Sequence, residues 1–432
     1  LHRQVTVQDA EGGIATTLYD LASNVKAVVD QNGNRTSFTY DGLHRQTQTE
    51  NALGDLSTTL YDAVGNVQAV VDQNGNRTSF SYDALNRQTE TENALGDLST
   101  LLYDKVGNVV ASIDEESNRT TFTFDGLYRQ VTSEDPLGNV VTTAYDAASN
   151  VISRTNARGY TTSFSYDGLN RRIHTENALG DLSSVIYDAV SNVVATVDAR
   201  GNRTTSTYDA LNRAESWTDA LDQTTTAIYD KVGNVVEQID ALGNRTTSTY
   251  DGLNRLVTTE ASDGGVSSTV YDAASNVVAT VDPLGNRTSF AYDALHRQIE
   301  IEDAENGLTT FLFDSVGNRT VVIDSVGNRT TSVFDALNRE IEQIDPLGNS
   351  ATFAYDAVGR MESTTDRLGR RRDFTFDEAG RVTTEEWIES SSTVNAITWT
   401  YDANSNPLTV EDQNGIHTFT YDELDRQETV QD

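Results

Sequence analysis

Carboxylates and their amides are the chemically capable residues that recur at fixed spacing in this chain. Asp62, Asp72 and Asp83 each open a five-residue stretch such as Asp62-Ala63-Val64-Gly65-Asn66 or Asp72-Gln73-Asn74-Gly75-Asn76. Oxygen donors at this density suggest calcium. However, the alternating Asp positions of an EF-hand loop and the nine-residue Gly-Asp pattern of calcium-binding β-rolls are both missing. Glu90 and Glu92 stand two apart on one strand face, the arrangement of an acid-base pair, yet the pair recurs with the repeat and reads as a solvated or lumenal surface. His2, His44 and His296 occupy one equivalent turn position, while His174 and His417 fall in strands, so no His cluster forms. Asn34, Asn76, Asn118, Asn202, Asn244, Asn286, Asn318 and Asn328 each begin Asn-Arg-Thr, formally a glycosylation acceptor. Their place at a turn exit points instead to left-handed backbone geometry, for which Asn is suited. No phosphate-binding loop, metal-hydrolase motif or nucleophile elbow is legible. The expected catalytic, cofactor-binding and metal residues are therefore none, and the expected cofactor is none.

What the recurring residues do mark is a repeat. An aromatic-Asp step falls at Tyr19, Tyr40, Tyr61, Tyr82 and onward to Tyr166 and Phe376, with a 21-residue period. The turn after it alternates between Ala63-Val64-Gly65-Asn66 and Ala84-Leu85-Asn86-Arg87, so the full unit is a 42-residue double repeat. Turn-opening residues at Asp62, Asp72, Asp83 and Asn93 divide it into bricks of one strand and one turn. Asp or Asn at the first turn position accepts from the turn backbone, and Gly or Asn three residues later admits positive φ. Between turns lie about six residues rich in Val, Thr, Ile, Phe and Tyr, too few for a helix and of strand composition. Val67, Ala69 and Val71 share one face, as do Phe80 and Tyr82; Gln88 and Glu90 share a polar one. The Asp of each step is expected to cap its turn, and the Arg five residues after the aromatic to reach an acidic neighbour. The repeat residues in these roles are Tyr40, Asp41 and Arg45; Tyr61, Asp62, Gly65 and Asn66; Asp72, Gly75 and Asn76; Tyr82, Asp83 and Arg87; and Tyr166, Asp167 and Arg171.

Composition agrees with a thin layer. Apolar residues make up 37% of 432 and are spread evenly, which gives a shallow apolar face. The net charge of −35 is distributed without any basic block, so nucleic acid and anionic membrane surfaces are poor candidates as partners. There is no Cys to staple the array, and no apolar run approaches the ~20 residues of a membrane helix. Residues 1-384 read as the regular array, 385-400 as an irregular loop or insertion around Trp387, and 401-432 as continuing repeats. Leu1-His2-Arg3-Gln4 repeats Leu43-His44-Arg45-Gln46, which suggests an excerpt from a longer polypeptide.

The forms Tyr61-Asp62-Ala63-Val64-Gly65-Asn66 and Tyr166-Asp167-Gly168-Leu169-Asn170-Arg171 resemble the YD repeats of bacterial Rhs proteins. Related arrays occur in the B and C components of Tc toxins, wall-associated proteins and animal teneurins. The resemblance implies an all-β fold of tandem β-hairpins in a continuous spiralling antiparallel sheet, forming a shell or tube. It implies a non-enzymatic wall around a cargo or toxin segment, secreted or at the bacterial cell surface. Its partners would be other repeats or domains of the same polypeptide and an enclosed C-terminal cargo. The closing plug and self-cleaving core of that family are not seen. A cell-surface fibre or adhesin, self-associating through the same repeats, is the alternative. At about 4.8 Å per strand, roughly 40 strands run on the order of 190 Å, about one turn of a cylinder roughly 60 Å across.

Overall fold

The structure, a computed structural model, describes residues 3–432; His2 lies outside them. The described residues form 41 strands and no helix, so the fold is all-β. They divide into two compact units, one of residues 3–81, 93–95 and 224–348, the other of 82–92, 96–223 and 349–432. Within each unit, strands next to one another in sequence pair antiparallel, as the tandem-hairpin reading requires; Ile14–Tyr19 with Val25–Val29, and Val25–Val29 with Arg35–Tyr40, show the pattern.

Most strands are five or six residues because a turn closes each one chemically. The Asp62 N–H donates to Asn66 O at 2.9 Å and the Gly65 N–H to Asp62 O at 3.3 Å, with φ of 106° at Gly65. This is a type I turn followed by a left-handed residue, a common hairpin connection. The aromatic-Asp step coincides with a β-bulge: Leu60 faces Ala69 and Tyr61 faces Val67, leaving Gln68 without a partner across the ladder.

The expected faces are present. Along Val67–Val71, Val67 and Val71 are half-buried, Ala69 is buried, and Gln68 and Val70 are exposed. The buried apolar residues among those described are Ala27, Ala69, Ala111, Ala195, Ala279 and Val321, all in one column of the double repeat. No large side chain is fully buried among them. Stability therefore rests on strand-to-strand bonding and shallow packing, as in repeat arrays generally.

The structure corrects two expectations. Residues 385–400 are strand: Val382–Glu389 and Ser392–Tyr401 form one long hairpin with Ser390 and Ser391 at positive φ in its tip. Alternation of Trp387 and Glu385 with Glu386 and Ile388 extends the ladder, so the excess length of this repeat lengthens strands and opens no loop. Second, positive φ falls on Gly75, at 88°, and not on Asn76. Asn76 is retained for its amide, which donates from Nδ2 to Asp72 Oδ2 at 3.0 Å. Contacts within a unit also join residues far apart in sequence. In the first unit, Asn32 and Asp272 meet although 240 residues apart, as do Asn74 and Asp314.

Candidate functional site

The Tyr/Phe-Asp turns line one rim of the sheet in each unit, because successive turns fall at opposite strand ends. In the Gly-Asn type, Asp62 Oδ1 accepts the N–H groups of Val64, Gly65 and Asn66 at 3.0, 2.7 and 2.8 Å, while Asn66 Nδ2 donates to Oδ2 at 2.9 Å. On the opposite rim, Asp72 is served in the same way by Asn74 and Asn76 at 2.9 and 2.8 Å. In the Arg type, Asp83 Oδ1 accepts from Leu85 and Arg87 N–H at 2.8 and 3.1 Å, and Arg87 Nε donates to Oδ2 at 2.7 Å. Asp41 with Arg45 and Asp167 with Arg171 are built alike.

These bonds act on the carboxyl groups. The Arg87 side chain, then its N–H, holds Asp83 below the ordinary carboxylate range, and Arg171 does the same for Asp167. At Asp62, desolvation works upward but is outweighed by the Asn66 side chain and the turn N–H groups. Oδ1 of each such carboxylate is occupied by the N–H groups of its own turn. Among the described residues, no group of three or more His, Asp or Glu is placed to hold one.

The expected acidic partner of the Arg exists, but Arg makes a second contact that sequence reasoning missed. Arg45 lies 4.5 Å from the Tyr61 ring centroid and Arg87 4.5 Å from that of Tyr103; Arg171 stacks on Tyr187 at 4.5 Å. Its Nη1 also donates to the next turn, from Arg87 to Asp104 O at 2.9 Å. The aromatic is pinned at its other end: Tyr40 OH donates to Val25 O at 2.9 Å, Tyr61 OH to Gln46 O at 2.9 Å and Tyr166 OH to Val151 O at 2.8 Å. Tyr82 is half-buried at the end of its strand. The Arg and the aromatic of the following step are thus one device, and it explains why the unit is a double repeat. Their fixed separation was the signal available in the sequence.

His44 and His296 belong to this rim. Both sit at positive φ, and their Nδ1 atoms meet Asn24 and Asn276 Nδ2 at 3.1 and 2.9 Å, where Asn170 Oδ1 meets Asn150 Nδ2 in another repeat. His174 bonds Ser184 and His417 bonds Asp432. Glu90 and Glu92 are both exposed, on strand Gln88–Glu92. An open crevice of about 610 Å³ in the second unit is lined by Glu90, Thr91, Asp114, Glu115 and Glu378 together with Leu101, Ile113, Val358 and Arg360, a mixed lining.

The rims also meet. In the first unit, the opposite rim of the early repeats sits on the aromatic rim of later ones: Asn32 Nδ2 to Asp272 Oδ2 at 2.8 Å, Asn74 Nδ2 to Asp314 Oδ2 at 3.0 Å, Ser315 Oγ to Asp55 Oδ1 at 2.9 Å and His296 Nε2 to Asp30 Oδ2 at 2.8 Å. In the second unit, Arg158 is the centre of such a contact. Its Nη1 donates to Asp422 O and Asp425 Oδ1, both at 2.8 Å, its Nη2 to Tyr421 O at 3.0 Å, and its Nε lies 3.3 Å from Asp402 Oδ2. Asn404 and Asn406 complete the shell of Asp425. Asn32, Asn74 and Arg158 all occupy the third position of their turns, a place whose role the local sequence does not announce.

The comparisons follow this architecture. The RHS Repeat family model matches residues 19–56, 61–98, 103–140, 145–182, 229–266, 271–307 and 334–370. No curated protein matches the sequence. Among solved structures, the TcdB2-TccC3-Cdc42 crystal structure is similar over 99% of this chain with a TM-score of 0.72 at 14% identity. The Tc holotoxin pore of Photorhabdus luminescens is similar over 97%, with a TM-score of 0.68 at 13% identity. This chain spans 28% and 29% of those chains, less than a third of their length. The fold is shared with them, and with its repeats matched over more than half its residues the chain belongs to the RHS repeat family.

Proposed function

We propose that this chain is a structural, non-enzymatic array forming part of the wall of a hollow β-shell in a large secreted or surface-located bacterial protein, enclosing a cargo or toxin segment. The rim-to-rim bonding within a unit carries this reading. Asn32 on Asp272 and Asn74 on Asp314 join segments of the sheet that are distant in sequence, as the layers of a wall require. Containment is then the mechanism: a bonded wall keeps water and proteases from whatever it surrounds. Similarity in fold to the Tc toxin structures supports it. The partners are further repeats and domains of the same polypeptide, together with the enclosed segment.

Electron microscopy of the full-length protein from its native cells tests this. Closed particles with internal density are expected. Open fibres of constant width, with no enclosed density, would replace the container by a surface filament.

A further inference from the structure

Asn-Gly steps occur in the chain at Asn32, Asn74, Asn306 and Asn414. The first two are also the residues whose amides join distant segments of the first unit, Asn32 Nδ2 to Asp272 Oδ2 at 2.8 Å and Asn74 Nδ2 to Asp314 Oδ2 at 3.0 Å. An Asn-Gly step is prone to deamidation, because a residue without Cβ lets its nitrogen approach the Asn side chain. Asn32 and Asn74 stand exposed at turn tips, and a Cβ on Gly33 or Gly75 would meet no atom beyond its chain neighbours within 4 Å. The tip therefore has room for the cyclic imide through which deamidation passes. What holds the reaction back is the turn itself, since the Gly33 and Gly75 N–H groups donate to Asp30 O and Asp72 O at 3.1 Å.

The chain also shows what an acid at this turn position requires. Glu11, at the same position, accepts from the Gly252 N–H at 2.7 Å, and Glu116 in the second unit pairs with Arg360. Where a distant contact has an acid at this position, a donor faces it. Asn32 and Asn74 face carboxylates instead. Asp272 Oδ2 and Asp314 Oδ2 each accept a second amide, from Asn276 at 2.7 Å and Asn318 at 2.9 Å, and neither has a proton to offer.

We propose that Asn32 and Asn74 are modification sites at which spontaneous deamidation unfastens this contact. The nitrogen of Gly33 or Gly75 bonds to the Asn Cγ, the Cγ–Nδ2 bond breaks, and ammonia leaves with the Gly amide proton. Water then opens the imide at either carbonyl, to Asp or to isoaspartate. Either product replaces the donor by a carboxylate beside Asp272 or Asp314, and like charges that close repel. No step restores the amide, so the contact loosens with the age of the chain. This concerns the bonding within the first unit and does not depend on what the array encloses.

The 432-residue chain, aged in mildly alkaline buffer, is sampled by peptide mass and by hydrogen exchange. Amide-to-acid conversion at Asn32 and Asn74 is expected, with exchange in turns 272–276 and 314–318 rising several-fold in step with it. Asn32→Asp with Asn74→Asp sets the end state without ageing, and is expected to raise exchange in the same two turns. Asn414→Asp is its control, because Asn414 Nδ2 bonds within its own turn, to Asp412 Oδ2 at 3.0 Å. Unaltered far-ultraviolet circular dichroism would show that both variants fold. Amides retained at Asn32 and Asn74, at a time when the same steps have converted in chain unfolded by guanidinium chloride, overturn the proposal. So does unchanged exchange in the two turns of the aged and converted chain, which would show that these amides do not hold the segments together.

Discussion

The guanidinium of Arg87 lies 4.5 Å from the centre of the Tyr103 ring while its Nε holds Asp83 at 2.7 Å. One side chain thus closes its own turn and clamps the next turn on the same rim. Lys has one point of charge and no planar fork, so it can serve one of these contacts but not both. Arg87→Lys is expected to lower stability by about 1 kcal/mol, the scale of a partly buried cation–π contact, measured as a shift in urea midpoint. An unchanged midpoint would show that the stacking is incidental.

The amide of Asn76 separates two explanations for the Asn-Arg-Thr column. If left-handed geometry selected Asn, Asn76→Gly would be neutral. Because Gly75 takes the positive φ and Asn76 supplies the bond to Asp72, Asn76→Gly is expected to cost about 1 kcal/mol. Gly75→Val is expected to cost more, since a β-branched residue tolerates that φ poorly. Equilibrium unfolding of both variants decides it.

Ala69 has no exposed surface, while Gln68 beside it faces water. Ala69→Leu should overpack the sheet and destabilise it by about 1 to 3 kcal/mol, while Gln68→Leu should change stability by no more than about 0.5 kcal/mol. Equal effects in thermal melts would mean that the two faces are not distinguished as described.

Acid should weaken the turns. Asp83, Asp125 and Asp167 are held below the ordinary carboxylate range, first by the side chain of the Arg four residues on and then by its N–H. A carboxyl depressed by folding stabilises fully above its unfolded value, near 3.9, and loses that contribution as pH falls through its folded value. Protonation also relieves the repulsion of the −35 charge, which acts in the other direction, so the titration belongs in about 1 M salt. The melting temperature is expected to stay level from about pH 7 to pH 5 and to fall below about pH 4. A level curve down to pH 2 would remove the Asp-capped turn from the account of stability.

Arg158 joins distant segments of the second unit, reaching Asp402 and, 267 residues along the chain, Asp425. Arg158→Met keeps the stem and removes four donor contacts. It is expected to cost about 2 kcal/mol, the scale of bonds to charged groups, and to raise hydrogen exchange around Asp422 and Asp425. Exchange unchanged there would show that the contact does not hold the layers.

These cases also mark what was legible in the sequence. Asp62 with Gly65 and Asn66, and Asp83 with Arg87, lie within one turn of each other, so composition and spacing revealed the turns and hence the strands. The stack of Arg87 on Tyr103 was within reach, since both recur with the double repeat, but it needed the knowledge that the two turns share a rim. Asn76 was misread because Asn serves equally as a left-handed residue and as an amide donor, and only φ distinguishes them. Trp387 was placed in a loop because the break in period was plain while the continued alternation through Ile388 was not. The partners of Asn32, Asn74 and Arg158 were out of reach. Separations that long are not encoded by any single turn.

The pairing of each Arg with the aromatic of the next step has a consequence for the gene. Near-identical DNA segments in tandem exchange unequally, and the chain then changes by whole repeats. Loss of a double repeat leaves every guanidinium facing a ring. Loss of a single repeat sets two turns of one kind side by side, and where neither carries Arg, a ring is left without its guanidinium. Copy number in such a gene should therefore drift mainly in even steps, and the array it encodes can change its length without relearning how to fold.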